Sequence, residues 1–144
     1  MTDKKGYKIL IVEDEDSIRD VYKEYLTGEG FIVEMSSDGE DALEKIKTFD
    51  FDAMLLDIML PKTDGLEVLK RIKSDIHYKD KVVLLLTALG RDSVIKEGFE
   101  LGADGYLIKD QENPDDVKKN ILNALKKVGK WKEREIRLGY LGIK

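Results

Sequence analysis

The spacing of apolar residues changes repeatedly along the chain. Short apolar runs at residues 8–12, 31–35, 53–56, 82–86 and 106–108 alternate with segments whose apolar positions recur at helical spacing. This is the pattern of βα units wound around a parallel sheet. Three of the five runs are almost wholly apolar, as expected of strands covered by helices on both faces. Right-handed crossovers then predict an α/β three-layer sandwich of (βα)5 type, its sheet ordered 2-1-3-4-5. In such sheets ligands bind beyond the carboxyl ends of the strands, near strands one and three.

The helices are announced by their caps. Asp38 precedes Gly39-Glu40-Asp41, and Asp64 has Glu67 three residues on, close to a capping box. In Asn113-Pro114-Asp115-Asp116, asparagine can cap, proline suits the first helical position and two acids oppose the positive end of the helix dipole. Asp14 and Glu15 are alternative caps for the first helix. Gly30, Gly102 and Gly129 stand where helices are predicted to stop.

With 144 residues the chain fits one domain with a single core. Hydrophobic residues at 42% and charged residues at 38% are an ordinary soluble balance. The net charge of −5 argues against a nucleic-acid-binding surface over the whole domain. Without cysteine there are neither disulfides nor thiolate metal sites, and one histidine, His77, excludes a multi-histidine centre. The first apolar run, residues 9–12, is too short for a signal peptide or a spanning helix, which predicts a soluble, cytoplasmic protein.

Reading off the strand ends collects Glu13-Asp14, Asp57, Thr87 and Lys109 on one rim. Three carboxylates there repel one another, by roughly 4 kcal/mol per pair at about 4 Å and an effective dielectric near 20. A cation relieves this, and an all-carboxylate set favours Mg²⁺ over zinc or copper. A carboxylate beside such an ion is a nucleophile for phosphorus, with lysine and hydroxyl groups placed to balance charge on the transferring oxygens. Taken singly, each residue has an ordinary role: a helix cap, a β-branched strand residue, a solvated lysine. Asp57 is the exception, because a carboxylate ending a wholly apolar run is costly to bury without a partner.

The set resembles the receiver domain of two-component response regulators. The matching segments are Ile9-Leu10-Ile11-Val12-Glu13-Asp14, Leu55-Leu56-Asp57-Ile58-Met59-Leu60-Pro61, Asp64-Gly65, Leu86-Thr87-Ala88 and Gly102-Ala103-Asp104-Gly105-Tyr106-Leu107-Ile108-Lys109. The resemblance implies a flavodoxin-like fold over residues 1–128, leaving 129–144 as a C-terminal extension. It implies that Asp57 accepts a phosphoryl group from a phosphohistidine of a sensor histidine kinase or phosphotransfer protein. Asp14, Asp57 and the Met59 carbonyl would coordinate Mg²⁺, with Glu13 acting through water. Thr87 and Lys109 would hold the phosphoryl oxygens, and Tyr106 would swing inward as Thr87 moves. The protein is then a switch with slow self-dephosphorylation rather than an enzyme with a separate substrate. It would act on a downstream protein or an output domain, as a monomer or a phosphorylation-linked dimer.

Departures from the family pattern carry their own expectations. Asp110 stands after Lys109 where receivers usually have proline, so a trans bond is expected there. Met59 and Leu89, two residues beyond Asp57 and Thr87, offer no hydrogen bond to an attacking water, which predicts slow phosphoryl loss. Gly98 either weakens its helix so that the helix can move, or allows close packing on a neighbour. The tail either extends the last helix, packs back on the domain, contacts a partner or begins a linker.

Rival functions fit less well. A non-phosphorylated interaction module would not need the full acidic set. A phosphatase of the aspartate-nucleophile class typically has a second acid where Met59 stands, and no Ser/Thr/Gly-rich loop follows the first strand to hold flavin. No residues remain for a helix-turn-helix, so direct nucleic-acid binding by this chain is not expected.

Overall fold

The computed structural model of the chain describes residues 6–88, 92–109 and 113–140, and the side chains of these as far as 127. Five strands, β1 (Lys8–Val12), β2 (Ile32–Ser36), β3 (Ala53–Asp57), β4 (Val82–Thr87) and β5 (Gly105–Ile108), form one parallel sheet ordered β2-β1-β3-β4-β5. Between and after them run α1 (Asp16–Gly28), α2 (Gly39–Lys45), α3 (Gly65–Ser74), α4 (Asp92–Glu100) and α5 (Pro114–Tyr140). The expected flavodoxin-like architecture and strand order are what the chain adopts.

The alternation of side chains along the central strands splits the interior into two cores. Leu10, Val12, Met54, Leu56, Val83 and Leu85 face α2 and α3, where Ala42, Leu66, Val68, Leu69 and Ile72 cover them. Ile9, Ile11, Leu55, Leu84 and Leu86 face α1 and α5, under Tyr22, Leu26, Val117 and Ile121. Each fully buried side chain of this size contributes about 1.5–3 kcal/mol relative to exposure. Strands three and four are buried at every position, which is why their sequences read as continuous apolar runs.

Local signals decide most boundaries. Asp38 accepts the Asp41 N–H at 2.8 Å, and Asn113 accepts the Asp116 N–H at 3.0 Å. Asp64 caps α3 through the Leu66 N–H at 3.0 Å, but Glu67 does not return to complete a capping box; it pairs forward with Arg71 at 3.2 Å. Glu15 occupies the cap position of α1 without bonding any helical N–H through its side chain. Phe31, expected in β2, instead donates its N–H to the Leu26 carbonyl and closes α1. Gly30 and Gly102 adopt φ of 101° and 106°, the left-handed conformation that ends α1 and α4. Gly129 does not stop α5, which continues to Tyr140. A glycine inside a helix costs only about 1 kcal/mol and does not by itself terminate it. None of the described helices is long and apolar enough to cross a membrane.

Candidate functional site

The strand registers bring the rim residues together. Val12 pairs with Leu56, so Glu13 and Asp57 follow on adjacent strands. Asp57 pairs with Leu86, one residue short of the end of β4, and Thr87 pairs with Ile108, the last residue of β5. The Lys109 N–H continues the ladder to the Thr87 carbonyl at 2.8 Å, which sets where the lysine side chain starts. One carboxylate oxygen each from Glu13, Asp14 and Asp57 lies within 4.8 Å of the others.

Asp57 is 1% exposed, and both its oxygens are engaged: Oδ1 accepts the Met59 N–H at 2.9 Å and Oδ2 accepts from Lys109 Nζ at 2.8 Å. Glu13 is fully buried, and its Oε2 accepts the Glu15 N–H at 2.9 Å. Its Oε1 lies 2.9 Å from Lys109 Nζ, an ion pair. Asp14 is exposed at the mouth. Lys109 also approaches Glu15 at 3.8 Å.

The electrostatics follow from this arrangement. Burial pushes the Glu13 carboxyl up to about 7, against the opposing pull of the Glu15 N–H and Lys109. Burial also raises the Asp57 carboxyl, with Lys109 and the Met59 N–H working in the other direction. Burial disfavours the charge on Lys109, yet the adjacent Asp57 and Glu13 carboxylates hold its pKa above the usual lysine range. Two buried acids share one lysine, with the Asp14 carboxylate at the same mouth, so the acids outnumber the cation. An oxygen-only acidic group of this kind suits a hard divalent cation.

The remaining predicted residues lie nearby in different roles. Thr87 is fully buried, and its hydroxyl donates to the Ala88 carbonyl at 3.2 Å. Met59 stands on the loop after β3 and is 54% exposed. Tyr106 is turned outward, its ring edge-on to Phe99 at 6.0 Å between centroids. Leu89 and the Lys109–Asp110 bond fall outside the described residues. His77 is exposed on the turn after α3, away from this rim. Arg19, which the sequence did not single out, donates from Nη1 to the Glu13 carbonyl at 2.9 Å and pairs with Asp16. Its only signal in the sequence is a local i,i+3 charge pair, which says nothing of the rim.

Comparison with known proteins converges on one family. The model of the response regulator receiver domain matches residues 9–122. The transcriptional regulatory protein SrrA of Staphylococcus aureus is 40% identical over 102 residues, 71% of this chain and 41% of that protein. The chain therefore matches about two fifths of the length of that curated relative. The chemotaxis response regulator CheY4 of Vibrio cholerae superposes with a TM-score of 0.73 at 32% identity, over 86% of this chain and 99% of that one. A CheY-like response regulator receiver domain protein from Methanospirillum hungatei gives 0.81 at 29% identity, over 88% and 98%. With the parallel sheet, the acidic rim and the rim lysine already in place, these matches make the chain a member of the response regulator receiver domain family.

Proposed function

We propose that Asp57 accepts a phosphoryl group from a phosphohistidine of a sensor kinase or phosphotransfer protein. The carboxylate oxygen forms the new P–O bond as the P–N bond to histidine breaks, and the imidazole leaves with a proton. The observation that carries this reading is the setting of Asp57: a buried carboxylate at a strand end, 2.8 Å from Lys109, within a three-acid cluster. Glu13, Asp14 and Asp57, with the Met59 carbonyl, are the residues that would hold Mg²⁺. When bound, that ion supplies positive charge toward the phosphoryl oxygens. Lys109 supplies a second cation on the same oxygens. Thr87, whose hydroxyl donates to the Ala88 carbonyl, would exchange that acceptor for a phosphoryl oxygen, and an inward turn of Tyr106 would follow.

The switch would act through the α4–β5–α5 face on a downstream protein or an attached output domain, in the cytoplasm, as a monomer or a dimer formed on phosphorylation. Residues 129–144 would be the extension leading to that partner. The test is intact mass after treatment with an acyl phosphate and Mg²⁺. Wild type should gain one phosphoryl group and Asp57→Ala none. Equal labelling of both, or of neither, rejects the assignment.

The exposed thioether of Met59 offers no hydrogen bond to a water approaching the acyl phosphate. Slow hydrolysis is expected, and Met59→Asn should shorten the phosphoryl lifetime. An unchanged lifetime in a decay series would remove Met59 from the account.

A further inference from the structure

The turn between β1 and α1 carries two of the three acids, and its backbone is held at several points. The Glu13 N–H donates to the Ser36 carbonyl at 3.0 Å, which extends the β1–β2 ladder past the end of the strand. The Glu13 carbonyl receives Arg19 Nη1 at 2.9 Å, and Glu13 Oε2 receives the Glu15 N–H at 2.9 Å. Arg19 reaches down from the first turn of α1 with its side chain 15% exposed, and its second nitrogen pairs with exposed Asp16. The Glu13 carbonyl oxygen and the Asp14 nitrogen belong to one planar peptide. A guanidinium bonded to that oxygen therefore fixes the plane from which the Asp14 side chain departs.

The two acids differ in how they are placed. Glu13 is walled in by the core, whereas Asp14 is exposed and has only the backbone to aim it. Without a fixed peptide plane, the Asp14 carboxylate would sample directions away from Asp57.

We propose that Arg19 is a positioning residue for the divalent-cation site: it holds the Glu13–Asp14 peptide so that both carboxylates converge with Asp57. This rests on the reading of Glu13, Asp14 and Asp57 as that site. It differs in sign from any effect of charge. Arg19 carries a positive charge near the site, so removing it would strengthen cation binding if charge alone mattered. Loss of positioning weakens it, as loss of an outer hydrogen bond around a metal commonly does, by about 10–100-fold.

The experiment titrates the full chain with Mg²⁺, reading affinity by calorimetry and by the backbone amide resonance of Asp14. It compares wild type, Arg19→Met and Arg19→Lys. Methionine keeps the apolar stem without a donor, and lysine restores a donor to the carbonyl. Arg19→Met should bind Mg²⁺ about tenfold more weakly, with Arg19→Lys recovering most of the loss. The Asp14 amide of Arg19→Met should already be displaced before Mg²⁺ is added, while melting in chelator stays close to wild type. Equal or tighter Mg²⁺ binding by Arg19→Met, or a loss that lysine does not recover, overturns the role of Arg19 and leaves the site reading intact. Absence of Mg²⁺ binding by wild type overturns the site reading, and this role with it.

Discussion

Helices α3 and α4 cover the same face of the sheet but are attached to it in different ways. Five residues of α3 are buried, Gly65, Leu66, Val68, Leu69 and Ile72, whereas Gly98 is the only buried residue of α4. Val94 and Leu101 add only partly buried contact at the two ends of α4. The glycines differ as well. A Cβ on Gly65 would stand 2.4 Å from the Asp57 carbonyl oxygen and 2.5 Å from Ile58 Cα, both backbone atoms. A Cβ on Gly98 would meet Leu85 Cδ1 at 2.4 Å, the far end of a flexible side chain. The helix after Asp57 is thus seated on backbone, and the helix after Thr87 rests on a leucine tip. The contrast ties α3 closely to the backbone after Asp57 and gives α4 little burial to lose. Of the two readings of Gly98, close packing is the one with visible contacts, and it is compatible with a lightly held helix.

Gly65→Ala should break the contrast most visibly. Neither the Asp57 carbonyl nor the Ile58 backbone can retreat cheaply, so a loss of about 3 kcal/mol or more in denaturant unfolding is expected. A loss below about 1 kcal/mol would show the α3 junction to be no tighter than that of α4. Truncating the apolar faces sharpens the same comparison: Leu69→Ala should cost about 3 kcal/mol and Val94→Ala about 1 or less. Equal costs would mean that α4 is as firmly anchored as α3. Smallest is Gly98→Ala, in which a helix-propensity gain of about 1 kcal/mol opposes the rearrangement of Leu85. Stability should stay within about 1 kcal/mol of wild type, while phosphorylation-linked amide shifts in α4 shrink. Shifts of undiminished size would remove Gly98 from any part in the mobility of that helix.

The opposite face shows a third mode of attachment. Tyr25 donates to Asp115 at 3.0 Å, and Lys118 pairs with Glu29 at 3.1 Å, so polar contacts join α1 to α5 above their shared apolar core. Part-buried pairs near the surface, such as these, contribute modestly one by one. They do, however, fix the start of the long α5 relative to α1, on the side of the molecule away from α4.

Fold class, strand order and the identity of the rim residues were legible in the sequence. Continuous apolar runs mark strands covered on both sides, and the alternation of elements restricts the topology to few arrangements. Asp57 stood out because an acid at the end of a wholly apolar run has no ordinary explanation. What remained out of reach was which side chains bond to which, and the orientations that depend on it. The missing capping box at Glu67 and the outward setting of Tyr106 go with their contacts to Arg71 and Phe99. Asp104, one residue of a matched motif, accepts the Val83 N–H at 2.8 Å and pairs with Lys73, a staple from the turn before β5 to β4 and α3 that periodicity cannot show. Arg19 is the clearest case. Its bond to the Glu13 carbonyl is only six residues long in sequence, yet it exists because the end of β1 and the first turn of α1 are brought face to face by the sheet beneath them. Patterning records which residues are buried, because hydrophobic burial dominates the energy. Hydrogen-bond partners are chosen by differences of about 1 kcal/mol, and those are decided only when the tertiary structure brings the groups together.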